Sequence, residues 1–405
     1  MNILMLHPNF PGQYRNLARY FSQSGRHKVF FITKETHGNK IAGCGMCIYK
    51  VREGMKGMHP FMHFLEDAVI EGEACARAAM QLREEAHFVP DVIIGHTGWG
   101  SMLYLKDVYP NVPMIGYFEW LYHSAHSDVA WWPDEEVSLG GKMRIRTQNT
   151  PHLLNLLACD VRYTPTEWQK AQFPIEYQNG MKVMHEGINT NFFTPQDGTK
   201  LVLPTPKLDL SDAEEIISYV SRGLEPYRGF PQFMDAVRIL LKRRPKLHVV
   251  IIAKDRSAYG PVPDAKDETW KTIEVKKGGY DEKRVHFTGL VPYAELLTAY
   301  RAAQVHVYLT RPFVLSWSML EAMSAGTCLV ASATPPVEEV VEDNVNGLLV
   351  NFRQPEHIAL RIEEALDDAA LRKRLGKAAR ESIVERYNMR DCLRKQVNMV
   401  YEATK

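Results

Sequence analysis

The chain has 405 residues, of which 45% are apolar and 24% are charged, a balance typical of a folded globular protein and not of a disordered chain. Its 49 lysines and arginines nearly match its 48 aspartates and glutamates. The formal net charge of +1 therefore gives no overall field that would attract nucleic acid, and we expect no nucleic-acid partner. At about 150 residues per domain, this length predicts two or three domains.

The compartment is predicted from the N-terminus and the cysteines. The opening sequence MNILMLHPNF has no basic region, and its apolar run ends at His7 and Pro8, so we expect no secretory signal peptide. No stretch approaches the roughly 18 apolar residues of a membrane span. Cys44 and Cys47 form a lone CxxC with no second pair, which favours reduced thiols. We expect a cytoplasmic protein, and peripheral contact with the inner face of a membrane stays open.

The first half of the chain alternates short apolar runs with helical patterns. Buried strands are predicted at Asn2–Leu6, Lys28–Ile32, Cys47–Val51, Asp91–Gly95, Pro113–Gly116 and Asp160–Tyr163. A helix is predicted over Gly12–Phe21. Apolar residues spaced three and four apart predict a long helix over Phe61–Leu82, and Thr166 is a candidate N-cap. This alternation predicts a parallel sheet covered on both faces.

The pattern breaks over Asn191–Ser211, where three prolines and no sustained periodicity predict a linker or a domain boundary. Beyond it, strands are predicted at Glu215–Val220, Leu247–Ala253, Val285–Phe287, Gln304–Leu309 and Thr327–Ala331. Helices are predicted at Phe230–Leu241, Tyr293–Arg301 and Trp317–Ala325, and from Pro355 nearly to the end. We therefore expect an α/β protein with Rossmann-like domains over 1–192 and 193–387, and a C-terminal helix over 388–405 that could cross back to the first domain.

The first candidate site is the loop Ser221–Phe230, which follows a predicted strand and opens a helix. Arg222 and Arg228 lie six positions apart in it. Glycines allow close approach of a ligand, a helix N-terminus favours negative charge, and arginine binds phosphate oxygens in bidentate geometry. The loop therefore predicts a diphosphate site, with a turn that carries two surface arginines as the alternative. It matches neither the Walker A nor the G-x-G-x-x-G pattern, which weighs against kinases and dehydrogenases.

The second candidate site is the segment Arg311–Gly326, in which a loop leads from a strand into a helix that begins near Ser316. Glu321 lies on that helix. A carboxylate can accept hydrogen bonds from both vicinal hydroxyls of a ribose. The alternative is a helix glutamate that faces solvent.

These motifs resemble the nucleotide-sugar-binding domain of the GT-B glycosyltransferases, specifically the retaining family 4 (glycosyltransferase group 1). In that family a G-R-L-x-x-x-K-G loop carries two basic residues to the donor diphosphate, and Arg222 and Arg228 stand at those places in a loop one residue longer. VHFTGLVPYAELLTAYRAAQVHVYLT resembles the family's V-x-F-x-G-x-V run, which implies that the backbone at Leu290 and Val291 faces the nucleobase. LEAMSAGTCLVAS resembles the family's L-E-A-M-A-x-G-x-P-V-V-A-S.

The N-terminal half resembles the same family more loosely. Gly12 stands where the family has a glycine-rich loop after its first strand, which implies a donor-binding role. HEGINTNFFTP, from His185 to Pro195, resembles the family's connection into the second domain. The resemblance implies a GT-B fold with two Rossmann-like domains whose parallel sheets face a central cleft.

The sequence departs from the family at one acidic position. The family has two glutamates with seven residues between them, and Glu321 is the second. The first would fall at Phe313. We expect the backbone amides of Val314, Leu315 and Ser316 to make donor contacts in place of that carboxylate.

A second departure is Glu119, which stands where the family has a histidine after the strand that ends near Gly116. We therefore take Glu119 as a candidate catalytic residue beside Arg222 and Arg228. It opens an aromatic-rich loop, and aromatic faces stack on sugars while carboxylates and imidazoles bond sugar hydroxyls. An aromatic mini-core is the alternative. The candidate acceptor-binding residues of this loop and of the preceding GHTGWG segment are Trp120, Tyr122, His123, His96 and Trp99.

The predicted function is a glycosyltransferase that moves a hexose from a UDP- or GDP-sugar to a hydroxyl of a glycan or lipid-linked acceptor, with retention of anomeric configuration. The sequence contains no D-x-D motif and no metal-ligand spacing, so no metal and no cofactor are expected, and arginines and helix dipoles would meet the diphosphate charge. Two alternatives stay open. One is a sugar-nucleotide hydrolase or epimerase of the same fold, and the other is a non-catalytic nucleotide-sugar-binding protein.

Overall fold

The structure, a computed structural model, describes residues 1–405 and divides them into two compact units. The first unit contains Met1–Gly187 together with Arg390–Lys405, and the second contains Ile188–Met389. The expected boundary after residue 192 therefore lies inside the second unit. Most of the expected C-terminal helix groups with the first unit.

The first unit is built on a seven-stranded sheet. Its strands are β1 Asn2–Leu6, β2 Lys28–Thr33, β3 Cys44–Ile48, β4 Val92–His96, β5 Met114–Tyr117, β6 Val161–Thr164 and β7 Met181–Val183. They lie in the order β3-β2-β1-β4-β5-β6-β7, and every pair is parallel. The chain order reverses between β1 and β4, and in open parallel sheets ligands bind at the carboxyl ends of the strands beside such a reversal.

Helices cover both faces of this sheet. They are α1 Arg15–Gln23, α2 His63–Glu85, α3 Leu105–Val108, α4 Leu139–Gln148, α5 Thr150–Ala158, α6 Glu167–Lys170 and α7 Ile175–Gln178. Successive residues of β1 point to opposite faces. Leu4 therefore shares a core with Leu82 of α2, while Ile3 shares another with Phe21 of α1 and Val400 of the C-terminal helix.

The second unit has a six-stranded parallel sheet in the order β12-β11-β10-β13-β14-β15, and a separate antiparallel hairpin, β8-β9. The strands are β8 Leu201–Leu203, β9 Leu208–Leu210, β10 Glu215–Gly223, β11 Leu247–Lys254, β12 Val285–Phe287, β13 Val305–Tyr308, β14 Cys328–Ser332 and β15 Leu348–Val350. The order reverses between β10 and β13. The carboxyl ends of these two strands are therefore the expected edge for a ligand.

The remaining helices surround the second sheet and end the chain. They are α8 Phe230–Arg243, α9 Trp270–Lys277, α10 Tyr293–Ala302, α11 Trp317–Ser324, α12 Pro335–Glu338, α13 Pro355–Asp367, α14 Ala369–Arg386 and α15 Met389–Ala403. None of the helices combines the length and the apolar character that crossing a bilayer requires. The predicted α/β class with two Rossmann-like parallel sheets is confirmed.

The structure corrects two sequence predictions about elements. The segment Asn191–Ser211, expected as a linker or a domain boundary, is not a plain linker, because it contains the β8-β9 hairpin, whose buried Leu201 joins the core of the second unit. The division between the two units falls just before it, between Gly187 and Ile188. The third strand begins at Cys44 and not at Cys47. Its register places Gly45 beside Phe30, where a Cβ would lie 2.6 Å from the ring, so the glycine fits this register.

Candidate functional site

The loop after β10 is shaped by a glycine that no other residue replaces easily. A 3-10 turn over Pro226–Arg228 leads to Gly229, which has a left-handed φ of 63°, and α8 begins at Phe230. A Cβ at Gly229 would lie 2.6 Å from the Cβ of Leu309. The loop therefore lies against the carboxyl end of β13, at the reversal point of the sheet.

Arg228 is the buried arginine of this loop. Its Nη1 donates to the hydroxyls of Tyr308 at 3.0 Å and Thr310 at 2.8 Å, and its Nη2 donates to the Val314 carbonyl at 2.9 Å. The Nε hydrogen and one Nη2 hydrogen have no acceptor in the protein. Arg228 thus joins the β10 loop to the segment before α11 and keeps two donors for a ligand.

Arg222 lies one residue before the end of β10, because the strand runs to Gly223 and so extends beyond the predicted end at Val220. Its side chain is exposed. Its Nη1 donates to the hydroxyl of Tyr259 at 3.1 Å. The structure therefore gives the two predicted diphosphate arginines different environments, one tied to protein groups and one open to solvent. Both remain predicted site residues.

Glu321 lies buried on α11, with 6% of its surface exposed, so the alternative of a solvent-facing helix glutamate is wrong. Burial raises the pKa of Glu321 to about 7, while the nearby Tyr300 hydroxyl acts in the opposite direction. A buried carboxylate destabilises a fold unless it is well partnered, and such groups occur preferentially at functional sites.

The segment before α11 offers open backbone donors. The amides of Val314 and Leu315 make no hydrogen bond within the protein, whereas the Ser316 amide donates to the Tyr308 hydroxyl at 2.9 Å. The Ser316 side chain caps α11 by accepting from the Ser318 amide at 3.3 Å. Two of the three predicted amides are therefore available to a ligand.

The predicted base-facing segment follows β12. Gly289 has a left-handed φ of 71° and turns the chain away from the sheet. Leu290 is 53% exposed, and the amides of Leu290 and Val291 make no hydrogen bond within the protein. These amides can donate to acceptor atoms on the edge of a base.

In the first unit, Gly12 allows the loop after β1 to close on His7. Its φ is 52°, and a Cβ there would lie 2.5 Å from the imidazole Cδ2 of His7. This approach places Gln13 beside the carboxyl end of β5. The glycine is required both by its backbone conformation and by the adjacent ring.

Glu119 lies two residues after β5 and contacts two side chains, Gln13 from the turn after β1 and His96 from the end of β4. Its Oε1 accepts from Gln13 Nε2 at 3.1 Å, and its Oε2 lies 3.3 Å from His96 Nε2. His96 Nδ1 accepts from the Gly98 amide at 2.9 Å, so the neutral ring carries its proton on Nε2 and donates it to Glu119. Since β1, β4 and β5 are neighbours, their carboxyl ends bring these three side chains together.

The two tryptophans among the predicted acceptor-binding residues differ in exposure. Trp99 is 39% exposed, and its ring centroid lies 4.4 Å from that of His96 and 5.0 Å from that of His7. Trp120 is only 6% exposed and packs against Trp168, with centroids 5.3 Å apart. In this conformation Trp99 offers a face to a sugar and Trp120 does not.

Tyr122 and His123 are held by the protein around them. The Tyr122 amide and carbonyl both bond the side chain of Asn149, at 2.9 and 2.8 Å. His123 Nε2 lies 2.9 Å from the carbonyl of Gln172. The structure thus brings His96 to Glu119 and Trp99 to His96, and ties the other candidate acceptor-binding residues to neighbouring segments.

Sequence reasoning missed three residues of these clusters. His7 and Gln13 lie in the same segment after β1 as the predicted Gly12, and this position after a strand is the signal that marks them. Tyr259 lies in the long loop after β11, outside any motif, and only its contact with Arg222 reveals it. No group of three or more histidine, cysteine, aspartate or glutamate side chains is arranged to hold a metal ion.

Comparisons with curated proteins give distant relatives. D-inositol 3-phosphate glycosyltransferase of Corynebacterium efficiens is 25% identical over 71% of this chain and 64% of its own length. The protein of the same name from Corynebacterium glutamicum is 25% identical over 71% of this chain and 65% of its own length. The chain therefore spans less than two thirds of the length of these relatives.

Comparisons with solved structures cover nearly the whole chain. Anabaena Alr3699/HepE in complex with UDP-glucose has a TM-score of 0.70 at 15% identity, over 99% of this chain and 100% of that chain. Sucrose-phosphate synthase of Thermosynechococcus elongatus has a TM-score of 0.72 at 17% identity, over 99% and 98%. These likenesses show the GT-B fold.

Two family models match the chain in succession. Residues 25–193 match the Glycosyl transferase family 4 group, and residues 205–382 match the Glycosyl transferases group 1. The resemblance inferred from the motifs is thereby confirmed. The chain belongs to the GT-B glycosyltransferases of group 1, family 4.

Proposed function

We propose that the protein transfers a hexose from a UDP- or GDP-sugar to an acceptor hydroxyl, with retention of configuration at the anomeric carbon. The observation that carries the proposal is a group of hydrogen-bond donors at the carboxyl edge of the second sheet. There Arg228 links the β10 loop to the two open amides before α11. The relatives named as D-inositol 3-phosphate glycosyltransferases and the HepE complex with UDP-glucose support it.

The diphosphate of the nucleotide sugar binds Arg222, the two N–H groups of Arg228 that have no acceptor in the protein, and the amides of Val314 and Leu315. The Glu321 carboxylate accepts hydrogen bonds from the hydroxyls of the ribose. As the bond between the sugar C1 and the phosphate oxygen breaks, negative charge grows on the leaving phosphate, and these fixed hydrogen-bond donors stabilise it without reorganisation. The oxygen of the incoming hydroxyl bonds to C1 on the face that the phosphate leaves, which retains the configuration, and its proton passes to the leaving phosphate.

On the sugar side, Glu119 binds hydroxyls of the transferred sugar or orients the nucleophile. His96 and Gln13 hold its carboxylate in place. Because His96 already donates to Glu119, the carboxylate stays positioned to accept a further hydrogen bond from a substrate hydroxyl. The acceptor we propose is a glycan or a lipid-linked sugar, in the cytoplasm or at the inner face of a membrane.

We propose that transfer needs no divalent cation, because the arginines supply the positive charge at the diphosphate. Activity should persist in EDTA. Complete loss in EDTA with recovery on adding Mn²⁺ or Mg²⁺ would contradict this part of the proposal.

The test of the function has two stages. Thermal unfolding is first measured with UDP, GDP, ADP and their hexose derivatives, since a ligand that binds only the folded state raises the melting temperature. The nucleotide sugar that binds is then offered with glycan, lipid-linked and inositol phosphate acceptors, and release of the nucleotide is followed. Release that depends on an acceptor supports transfer. Equal release without any acceptor would favour a hydrolase, and binding without release a non-catalytic protein.

A further inference from the structure

The loop between β11 and α9 packs directly on the end of β10, which carries Arg222, and on the loop after it, which carries Arg228 (together called the β10 loop below). A Cβ at Gly223 would overlap the carbonyl oxygen of Arg256 and would lie 3.0 Å from the amide nitrogen of Ala258. The two backbones therefore approach each other as closely as a glycine allows. Any side chain at position 223 would force them apart.

Glu225 holds this approach from the other side. Its side chain is fully buried, and its Oε2 accepts from the amides of Ala258 and Tyr259, the latter at 2.6 Å. Its Oε1 has no hydrogen-bond partner. Burial raises the pKa of Glu225, while the two amide donors lower it. A buried carboxylate with one oxygen unpaired destabilises the fold, and such groups occur where they fix the position of neighbouring functional residues.

The position that Glu225 fixes is that of Tyr259. The Tyr259 hydroxyl accepts a hydrogen bond from Arg222 Nη1 at 3.1 Å. The Tyr259 ring lies 5.4 Å from the Arg228 guanidinium and 5.1 Å from the ring of Phe313. One side chain therefore contacts both arginines of the predicted diphosphate site and the residue at the missing glutamate position.

The Tyr259 hydroxyl has a donor left over. It uses a lone pair to accept from Arg222, and its own hydrogen has no acceptor within the protein. The side chain is partly exposed, so a ligand can reach it. A phosphate oxygen bound to Arg222 would lie beside this hydroxyl, and hydrogen bonds from hydroxyls to phosphate are short and strong.

We propose that Tyr259 is a third side chain that binds the donor diphosphate, and that Glu225 is the residue that positions it. This inference rests on the proposed function, because the diphosphate is that of the nucleotide sugar. Tyr259 donates to a phosphate oxygen while its lone pair and ring orient Arg222 and Arg228. Glu225 acts through Tyr259 and touches no substrate.

The test compares Tyr259→Phe with Tyr280→Phe, a control in the same unit whose hydroxyl makes no hydrogen bond. Binding of UDP, GDP, UMP, uridine and inorganic pyrophosphate is measured by calorimetry. Tyr259→Phe should weaken the bound nucleoside diphosphate and pyrophosphate roughly tenfold, because a hydrogen bond to a charged group is lost. Uridine should bind both variants as it binds the wild type.

Glu225→Gln tests the positioning role through non-additivity. Alone, it should weaken diphosphate binding and increase hydrogen exchange at the Ala258 and Tyr259 amides. In the Tyr259→Phe background it should cause little further loss of diphosphate affinity, since residues that act as a unit are not additive. Full additivity, or unchanged amide exchange, would overturn the role of Glu225.

The outcomes separate this inference from the function on which it rests. If the wild type binds UDP or GDP and Tyr259→Phe binds it equally well, the inference is overturned and the function stands. If Tyr259→Phe weakens uridine as much as UDP, the residue is merely structural and the inference is again overturned. If only pyrophosphate binds and Tyr259→Phe weakens it, the anion site stands and the nucleotide-sugar function falls. If no probe binds the wild type, both fall.

Discussion

Among the single residues, Glu321 is the one whose proposed role as a charged ligand-binding group most clearly lowers the stability of the unliganded fold. Its carboxyl is buried, and its pKa is raised to about 7, above the value of about 4.3 for an exposed glutamate. The folded state therefore binds the proton more tightly than the unfolded state. Stability contributed by the protonated form is present below about pH 4.3 and is lost as the pH rises through about 7.

Replacing Glu321 by Gln should remove this pH dependence. The wild type, without ligand, should lose on the order of 3 kcal/mol of unfolding free energy between pH 5 and pH 8 from this group, and Glu321→Gln should not. The variant should also bind UDP or GDP more weakly, because the charged ribose acceptor is gone. Urea unfolding at both pH values and calorimetry at pH 8 measure the two effects. The same pH slope in both proteins would refute the burial argument.

Glu119 should affect transfer and not nucleotide binding. Its carboxylate lies in the first unit, whereas the residues proposed for the nucleotide lie in the second. Glu119→Ala should therefore slow transfer roughly 100-fold or more, while the affinity for the bare nucleotide stays unchanged.

Melting temperature separates this role from a structural one. Glu119 also bonds Gln13 and His96, so its loss can loosen three loops. Gln13→Ala is the matched control, because it removes one of those bonds and keeps the carboxylate. A large drop in melting temperature with normal turnover per folded molecule would make Glu119 structural.

Individual site residues could be predicted only where a local pattern marks them. Arg222, at the end of β10, and Glu321, on α11, both lie in segments that match family motifs. Trp99 and Trp120 both follow strands and are aromatic, so the sequence cannot separate them. The structure does, since Trp120 packs on Trp168 while Trp99 stays exposed. Tyr259 was missed because its hydrogen bond with Arg222 joins two segments that lie 37 residues apart in the sequence.

At the scale of elements, the loop after β1 depends on Gly12. Gly12→Ala would combine a left-handed φ with a clash at the His7 ring. Gly25→Ala has a similar φ of 68° but no atom within 4 Å of its new Cβ. Gly25→Ala should therefore cost about 1 kcal/mol from backbone strain alone, and Gly12→Ala clearly more.

Urea unfolding of the two glycine variants measures that difference. Because Gly12 places Gln13 beside Glu119, Gly12→Ala should also slow transfer, and Gly25→Ala should leave it unchanged. Equal stability losses in the two variants would show that the His7 ring moves aside without cost, and the steric argument would fail.

Whether an element could be predicted depended on its length and burial. The strands with continuous apolar runs, such as β1 and β11, were predicted almost to the residue. The hairpin β8-β9 was missed because strands of three residues are too short for a periodicity to show. The third strand was predicted three residues too late in the chain, because CIYKV has more strand-forming residues than the segment around Gly45, which pairs with β2.

At the scale of the whole molecule, the regular alternation of strands and helices predicted two βα-rich halves. It did not give the strand order, which depends on contacts far apart in sequence. The C-terminal helix was expected to be able to cross back to the first domain, and the structure groups Arg390–Lys405 with the first unit. The residues that make this contact, Val397 and Val400, come from the structure alone.

The proposed function requires that the β10 loop of the second unit binds the diphosphate of a nucleotide sugar. The most direct measurement is calorimetric titration of UDP and GDP into the wild type, Arg222→Ala and Arg19→Ala. Both arginines are exposed, and Arg19 lies in the first unit away from any proposed site. One of the two nucleotides should bind the wild type and Arg19→Ala equally, and Arg222→Ala at least tenfold more weakly. Equal affinity in all three proteins would show that Arg222 does not bind the diphosphate.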